Sequence, residues 1–151
     1  MNTKFWALLS LAVCLGTFSC RAQQLKNDNR IGYIKNDWKD NSGNYINAHG
    51  GGILSYNNKY YWFGEHRPEK GFSTQVGVTC YSSEDLKNWK YESVALAVSE
   101  DKGSDIERGC IMERPKVIYN KQTGKFVMWF HLELKGKGYG PAYAAVAVSN
   151  K

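Results

Sequence analysis

The chain has 151 residues, of which 42% are hydrophobic and 14% are aromatic, and it carries a formal net charge of +6. This length is sufficient for one domain with a core, and the hydrophobic content excludes an intrinsically disordered chain. Lys and Arg are scattered among Asp and Glu without a basic run, so the sequence predicts no nucleic-acid partner. The 15 glycines and the short alternating apolar runs predict an all-β fold.

The first 22 residues are typical of a secretory signal. Lys4 precedes the apolar run Phe5–Phe18, which is too short to span a bilayer as a folded segment. Small residues at Cys20 and Ala22 suit a signal peptidase, whereas the stretch ending at Cys20 also fits a lipoprotein box. We expect an exported protein that is periplasmic, attached to the cell surface or secreted. Simple cleavage is favoured, with membrane attachment by a lipid on Cys20 as the alternative.

Residues 23–44 are a polar, turn-rich lead-in segment, and residues 45–151 contain two similar units. The first unit reads "GGILSYNNKYYWFGE" and then "VGVTCYSSEDLKNWKYE"; the second reads "RPKVIYNKQTGKFVMWFHLE" and then "AYAAVAVSNK". Each predicts a strand, a polar turn, an aromatic strand, a loop and a third strand, and the first adds an outer strand. Ile53 and Val117 are 64 residues apart, a period that suits four-stranded propeller blades with loops.

Two such units cannot form a closed ring. The flat faces of a blade are buried only against neighbouring blades, and closure is what removes the exposed sheet edges. We therefore expect about two antiparallel blades that represent the N-terminal part of a longer propeller.

Two cysteines, Cys80 and Cys110, follow the signal in strand-like apolar contexts. Export permits a disulfide between them, and two buried free thiols are the alternative. No cysteine or histidine spacing fits a zinc site. We expect no metal or cofactor in the chemistry, and a structural ion on the propeller axis is left open.

Five motifs in order, "AHGGGIL", "YYWFGE", "CYSSEDLKNW", "ERPKVIYN" and "VMWFH", resemble the five-bladed β-propeller glycosidases of glycoside hydrolase family 43. The likeness covers residues 38–150 and is greatest for the branch of exo-β-1,3-galactanases, or galactan 1,3-β-galactosidases. It implies an inverting hydrolase of O-glycosyl bonds that acts from the non-reducing end of a β-1,3-galactan or an arabinogalactan side chain. The implied partner is a plant-type polysaccharide or oligosaccharide.

Inversion requires a carboxylic acid that protonates the leaving oxygen and a base that activates water. Most members of the family carry the base Asp on the first inner strand, but "NAHGGGI" has no carboxylate, as in the galactanase-like branch. The family's general acid lies in a later blade. The catalytic residues are therefore not assigned within residues 1–151, and we expect the chain alone not to hydrolyse glycosides.

The resemblance places a sugar pocket on the propeller axis, so we expect a binding half-site in this chain. The glycines bring backbone close to the sugar, and the two glutamates accept hydrogen bonds from its hydroxyls. The predicted substrate-binding residues are His49, Gly50, Gly51, Glu65, Glu113, Arg114 and His131.

Each prediction has an alternative. Glu113 could form a local ion pair with Arg114, Glu65 could lie in a solvated loop, and both histidines could be structural. Trp62 and Trp129 are assigned to the space between blades, and Trp38 is left open between packing and sugar stacking. For the whole chain, the rivals are an arabinofuranosidase or xylosidase of the same fold and a non-catalytic carbohydrate-binding propeller.

Overall fold

The structure, a computed structural model, describes residues 38–150. This part of the chain contains seven β-strands and one 3₁₀ turn, Phe72–Thr74, so the predicted all-β class is confirmed. Within residues 38–150, no helix is long and apolar enough to cross a membrane. The predicted signal at residues 1–22 and its lipid site at Cys20 lie outside the described residues.

The first sheet has four antiparallel strands that pair in chain order. Asn57 and Asn58 connect the first two strands with positive φ angles of 49° and 60°, as a tight type I′ hairpin turn requires. The strands are β1 (His49–Tyr56), β2 (Lys59–Glu65), β3 (Gly77–Ser83) and β4 (Lys90–Ala97).

The second sheet repeats this plan with three strands in the order β5-β6-β7. Its strands are β5 (Ile111–Asn120), β6 (Lys125–Glu133) and β7 (Tyr143–Ser149). The two units predicted from the sequence are therefore confirmed, the first with four strands and the second with three. Together they form part of a β-propeller.

The inner strands β1 and β5 share one irregularity at equivalent positions. The pairing register of β1 shifts between His49 and Gly52, and that of β5 shifts between Glu113 and Lys116. Inside each bulge one residue has a left-handed backbone: Gly50 with φ 56° and Arg114 with φ 53°. A bulge bends its strand and turns backbone groups out of the ladder, so both inner strands change direction at the same level.

The core lies between the two sheets. Its buried side chains come mainly from alternate positions of β6, from β3 and β5 and from the residue before β5: Val78, Cys110, Met112, Met128, Phe130 and Leu132. Tyr81 and Trp89 form a second cluster, and Tyr81 lies on the face of β3 opposite to Val78. Trp62 belongs to this second cluster as predicted, and the ring of Trp38 packs 4.8 Å from that of Trp62.

Both cysteines are buried and free, which is the second alternative drawn from the sequence. Burial in the apolar core disfavours the thiolate and raises the pKa of Cys80 to about 12. Burial likewise raises the pKa of the Cys110 thiol, so both cysteines favour the protonated, weakly nucleophilic form.

The assignment of Trp129 to the core is wrong for the described chain, because this side chain is 51% exposed. Trp129 lies between Met128 and Phe130 on β6 and points to the face opposite theirs, away from the first sheet. On that outer face it is joined by exposed apolar side chains of the neighbouring strands: Ile118, Val146 and Val148.

Candidate functional site

The ends of the two inner hairpins bring carboxylates and imidazoles together. His49 pairs with Glu65 across β1 and β2, and Glu113 pairs with His131 across β5 and β6. Glu65 and Glu113 are 1% and 3% exposed. Glu65 is therefore not a solvated loop residue, and burying two carboxylates at the same level requires specific partners for each.

Glu65 is held by one cation and one backbone donor. The guanidinium Nε of Arg67 donates to its Oε1 at 2.6 Å, and the backbone N–H of Arg114 donates to its Oε2 at 3.2 Å. The first of these bonds, together with the charge of Glu65, raises the pKa of Arg67. Glu65 thus connects the first sheet to the bulge of β5.

Glu113 has a different partner. The hydroxyl of Tyr139 donates to its Oε1 at 2.6 Å, and this bond raises the pKa of Tyr139 because it favours the protonated phenol. Within residues 38–150, Oε2 of Glu113 accepts no hydrogen bond and the Arg114 guanidinium forms none. The alternative of a local Glu113–Arg114 ion pair is not what the structure contains.

A third buried carboxylate, Glu133, lies two residues beyond His131 on β6. Its Oε1 is 2.6 Å from Nε2 of His131, and its Oε2 accepts the backbone N–H of Ala142 at 3.0 Å. Burial opposes the charged form of Glu133, but these bonds and the imidazole outweigh it and hold its pKa below the usual value. The predicted site residue His131 is therefore oriented by a carboxylate.

The adjacent glycines of β1 each have a separate steric reason. A Cβ at Gly50 would lie 3.4 Å from Oε2 of Glu65, and the positive φ there suits glycine. A Cβ at Gly51 would lie 2.1 Å from the carbonyl oxygen of Phe63, which is an overlap. Gly50 and Gly51 thus lie close to other protein groups, and the approach of their backbone to a sugar stays a prediction.

His49, at the start of β1, is exposed. The half-buried His66 has a lowered pKa, first because of burial and then because of the charge of His49. His49 is thus exposed, whereas its strand partner Glu65 is buried, as is Glu113.

A hollow of about 280 Å³ opens between the bulge of β5 and the ends of β6 and β7. The residues that line it include Arg114, Trp129 and His131. Charged groups beside an aromatic ring are the combination that binds polar ligands with apolar faces. A larger apolar cavity of about 630 Å³ lies farther out between the sheets and contains none of the predicted site residues. Among residues 38–150, no group of three or more His, Cys, Asp and Glu side chains could hold a metal ion.

Three site residues were missed in the sequence: Arg67, Glu133 and Tyr139. Glu133 had a detectable signal, because it ends β6 as Glu65 ends β2. Tyr139 lies in the loop "GKGYGP", and its contact with Glu113 spans 26 residues of chain. No local pattern predicts that contact.

Several solved structures are similar to this chain. The chain is 73% identical to a GH43 β-1,3-galactosidase solved with galactodeoxynojirimycin, at a TM-score of 0.73, covering 76% of this chain and 33% of that one. It is 45% identical to an exo-β-1,3-galactanase from Clostridium thermocellum, with a TM-score of 0.68 and coverages of 78% and 24%.

A third structure is a variant of the exo-β-1,3-galactanase from Phanerochaete chrysosporium with β-1,3-galactotriose. The identity is 39%, the TM-score is 0.68 and the coverages are 76% and 26%. This chain therefore spans a third or less of the length of these proteins. No family model and no curated protein matches the sequence.

Proposed function

The chain belongs to glycoside hydrolase family 43, and from this we propose that it supplies the galactose-binding part of an inverting exo-β-1,3-galactosidase. The substrate is a terminal β-1,3-linked galactose of a galactan or an arabinogalactan side chain. The names of the similar structures support this sugar and linkage, since they are β-1,3-galactosidases and galactanases with a galactose-like inhibitor and a galactotriose.

One observation carries the proposal. Glu113 is buried, yet within the described residues it has one hydrogen-bond donor, Tyr139, for two carboxylate oxygens. Buried carboxylates normally accept several hydrogen bonds, so the second oxygen is suited to accept one from a ligand hydroxyl. His131, the strand partner of Glu113, lines the hollow together with Arg114 and Trp129, which offer a cation and an aromatic ring next to this carboxylate's strand pair. A hexose offers hydroxyl groups to a carboxylate and a guanidinium, and a ring face to a tryptophan.

The residues of this chain bind and orient the sugar in the proposed mechanism. Glu113 accepts a hydroxyl hydrogen bond, which contributes about 1.5–3 kcal/mol because the acceptor is charged. The hydrogen bonds from Arg67 and from the Arg114 backbone hold the Glu65 side chain in place, so a second acceptor is oriented before binding. His131 is oriented by Glu133 at the wall of the hollow.

The acid and the base of the inverting reaction are residues other than the sugar-binding residues named above. The resemblance puts the general acid in a later blade, so we propose that the chain alone binds galactosides without cleaving them. We also propose that the protein is exported, because a galactan polymer is a substrate outside the cell and residues 1–22 fit a secretory signal.

Titration of the purified chain with methyl β-galactoside, methyl β-xyloside and methyl α-arabinofuranoside tests the sugar assignment. We expect the galactoside to bind at least about tenfold more tightly, a difference of about 1.4 kcal/mol. Tighter binding of the xyloside or the arabinofuranoside would support the rival enzymes of the same fold. Release of galactose from β-1,3-galactan by the chain alone would overturn the proposal that the chain binds galactosides without cleaving them.

A further inference from the structure

Lys116 makes an unusual set of contacts where the two inner strands meet. Its Nζ lies 2.9 Å from the carbonyl oxygen of Gly50 and 3.0 Å from that of Gly51, both on β1. It also lies 3.3 Å and 3.5 Å from the carbonyl oxygens of Pro115 and Arg114 on β5. One ammonium group thus connects four backbone oxygens of two different sheets.

We propose that Lys116 is a positioning residue whose ammonium group locks β1 to β5 and so sets the geometry of the galactose site. This inference rests on the proposed function for its ligand. The bulges explain why a cation is needed, because a bulge leaves backbone carbonyls outside the strand ladder. A positive charge satisfies several converging carbonyl oxygens at once, as bound cations do in other proteins.

The sequence of β1 leaves room for this arrangement. A Cβ at Gly52 would lie 2.8 Å from Cδ of Lys116, so the lysine stem passes over β1 where a side chain is absent. Gly52 and Lys116 end the equivalent bulges of the two inner strands. The third glycine of "HGGGI" therefore accommodates the lysine stem, a role distinct from those of Gly50 and Gly51.

The residues that the ammonium holds are those next to the site. Gly50 lies against Glu65, and the backbone of Arg114 donates to the same carboxylate. A shift of β1 relative to β5 would therefore displace Glu65 and the guanidinium of Arg114 together. Lys116 acts through these groups, since its ammonium is already occupied by the four carbonyls.

The first test compares galactoside binding by Lys116→Met and by Lys125→Met, a change of an exposed lysine on β6 that serves as the matched control. Loss of charge-assisted hydrogen bonds at Lys116 should raise Kd by about tenfold or more, while Lys125→Met keeps the parent value. Parent-like binding by Lys116→Met, or an equal loss in both variants, would overturn the inference.

The second test uses chemical rescue, a readout that general destabilisation would not reproduce. In Lys116→Ala, ammonium chloride should restore the parent backbone amide signals of Gly50 and Gly51, and tetramethylammonium chloride, which cannot donate hydrogen bonds, should not. If the variant is unfolded, recovery of the folded circular dichroism spectrum in ammonium alone supports the inference. The same result in both salts overturns it.

These two tests separate the inference from the function on which it rests. Absence of galactoside binding by the parent chain would count against the proposed function. The amide signals of Gly50 and Gly51 in the two salts would still decide the role of Lys116.

Discussion

Three buried carboxylates near the inner strands are stabilised in three different ways. Glu65 has a guanidinium, Glu133 has an imidazole and a backbone amide, and Glu113 has a phenol hydroxyl. Burial disfavours a carboxylate charge unless hydrogen bonds and nearby cations compensate for it. Glu113 has the least compensation within the described residues, which is why we place the ligand there.

Glu133 should make stability depend on pH in the acid range. Its pKa is lower in the folded chain than the usual value of 4.5. The folded state therefore binds fewer protons there, so the stabilisation is complete above the unfolded pKa and is lost as pH falls through the lower folded value. We expect urea unfolding between about pH 5.5 and about pH 3 to show a steeper loss for the parent than for Glu133→Gln.

Glu69→Gln is the matched control for this change, because it removes the same charge from an exposed glutamate. Other carboxylates with lowered pKa values, such as Glu92 and Glu107, remain in all three proteins and cancel in the comparison. Equal pH slopes for the parent and Glu133→Gln would contradict the role given to the His131–Glu133 pair.

At the scale of single elements, the repeated bulge is the feature that builds the site. It turns Gly50 and Arg114 into left-handed conformations at equivalent places and directs both inner strands toward Glu65. A non-glycine residue in this conformation carries a cost of about 1–2 kcal/mol, so the surrounding contacts must hold Arg114 in place.

Gly51→Ala should be strongly destabilising because its methyl group would overlap the Phe63 carbonyl, a backbone atom that cannot move alone. We expect a loss of about 3 kcal/mol in the free energy of unfolding, measured with urea. Gly103→Ala is the control: its φ of 83° is positive, but no atom lies within 4 Å of the added Cβ. It should cost about 1–2 kcal/mol. A Gly51→Ala cost no greater than that of Gly103→Ala would show that β1 does not need this close approach.

The strands could be predicted from the sequence because their information is local. Alternating apolar residues, the Asn57–Asn58 turn and the 64-residue period specify hairpins without knowledge of the partners. The bulges could not be predicted in this way, because a bulge is a property of two strands in register. The exposure of Trp129 has a similar origin: β6 has apolar residues on both faces, and which face meets the first sheet is a tertiary fact.

At the scale of the whole described chain, two sheets enclose one core. They meet at the bulges of β1 and β5, where Glu65, Glu113 and Lys116 lie. Gly50 on β1 lies against Arg114 on β5, so Gly51 and Glu113 of the predicted half-site are on strands that contact each other. The hydrogen bond of Tyr139 to Glu113 and the ion pair of Arg67 with Glu65 were not predicted, because each depends on how the chain folds back over these bulges. The sequence thus indicated only part of the hydrogen-bond network that surrounds Glu65 and Glu113.

The proposed galactose site depends most directly on Glu113 as a ligand of the sugar. A methyl β-galactoside titration followed by NMR should shift the backbone amides of Gly50, Glu65, Glu113 and Arg114, and Glu113→Gln should weaken binding by about fivefold to tenfold, because a neutral acceptor replaces a charged one. Unchanged affinity in Glu113→Gln, with the largest shifts around Leu54 and Val94 in the outer apolar cavity, would contradict it.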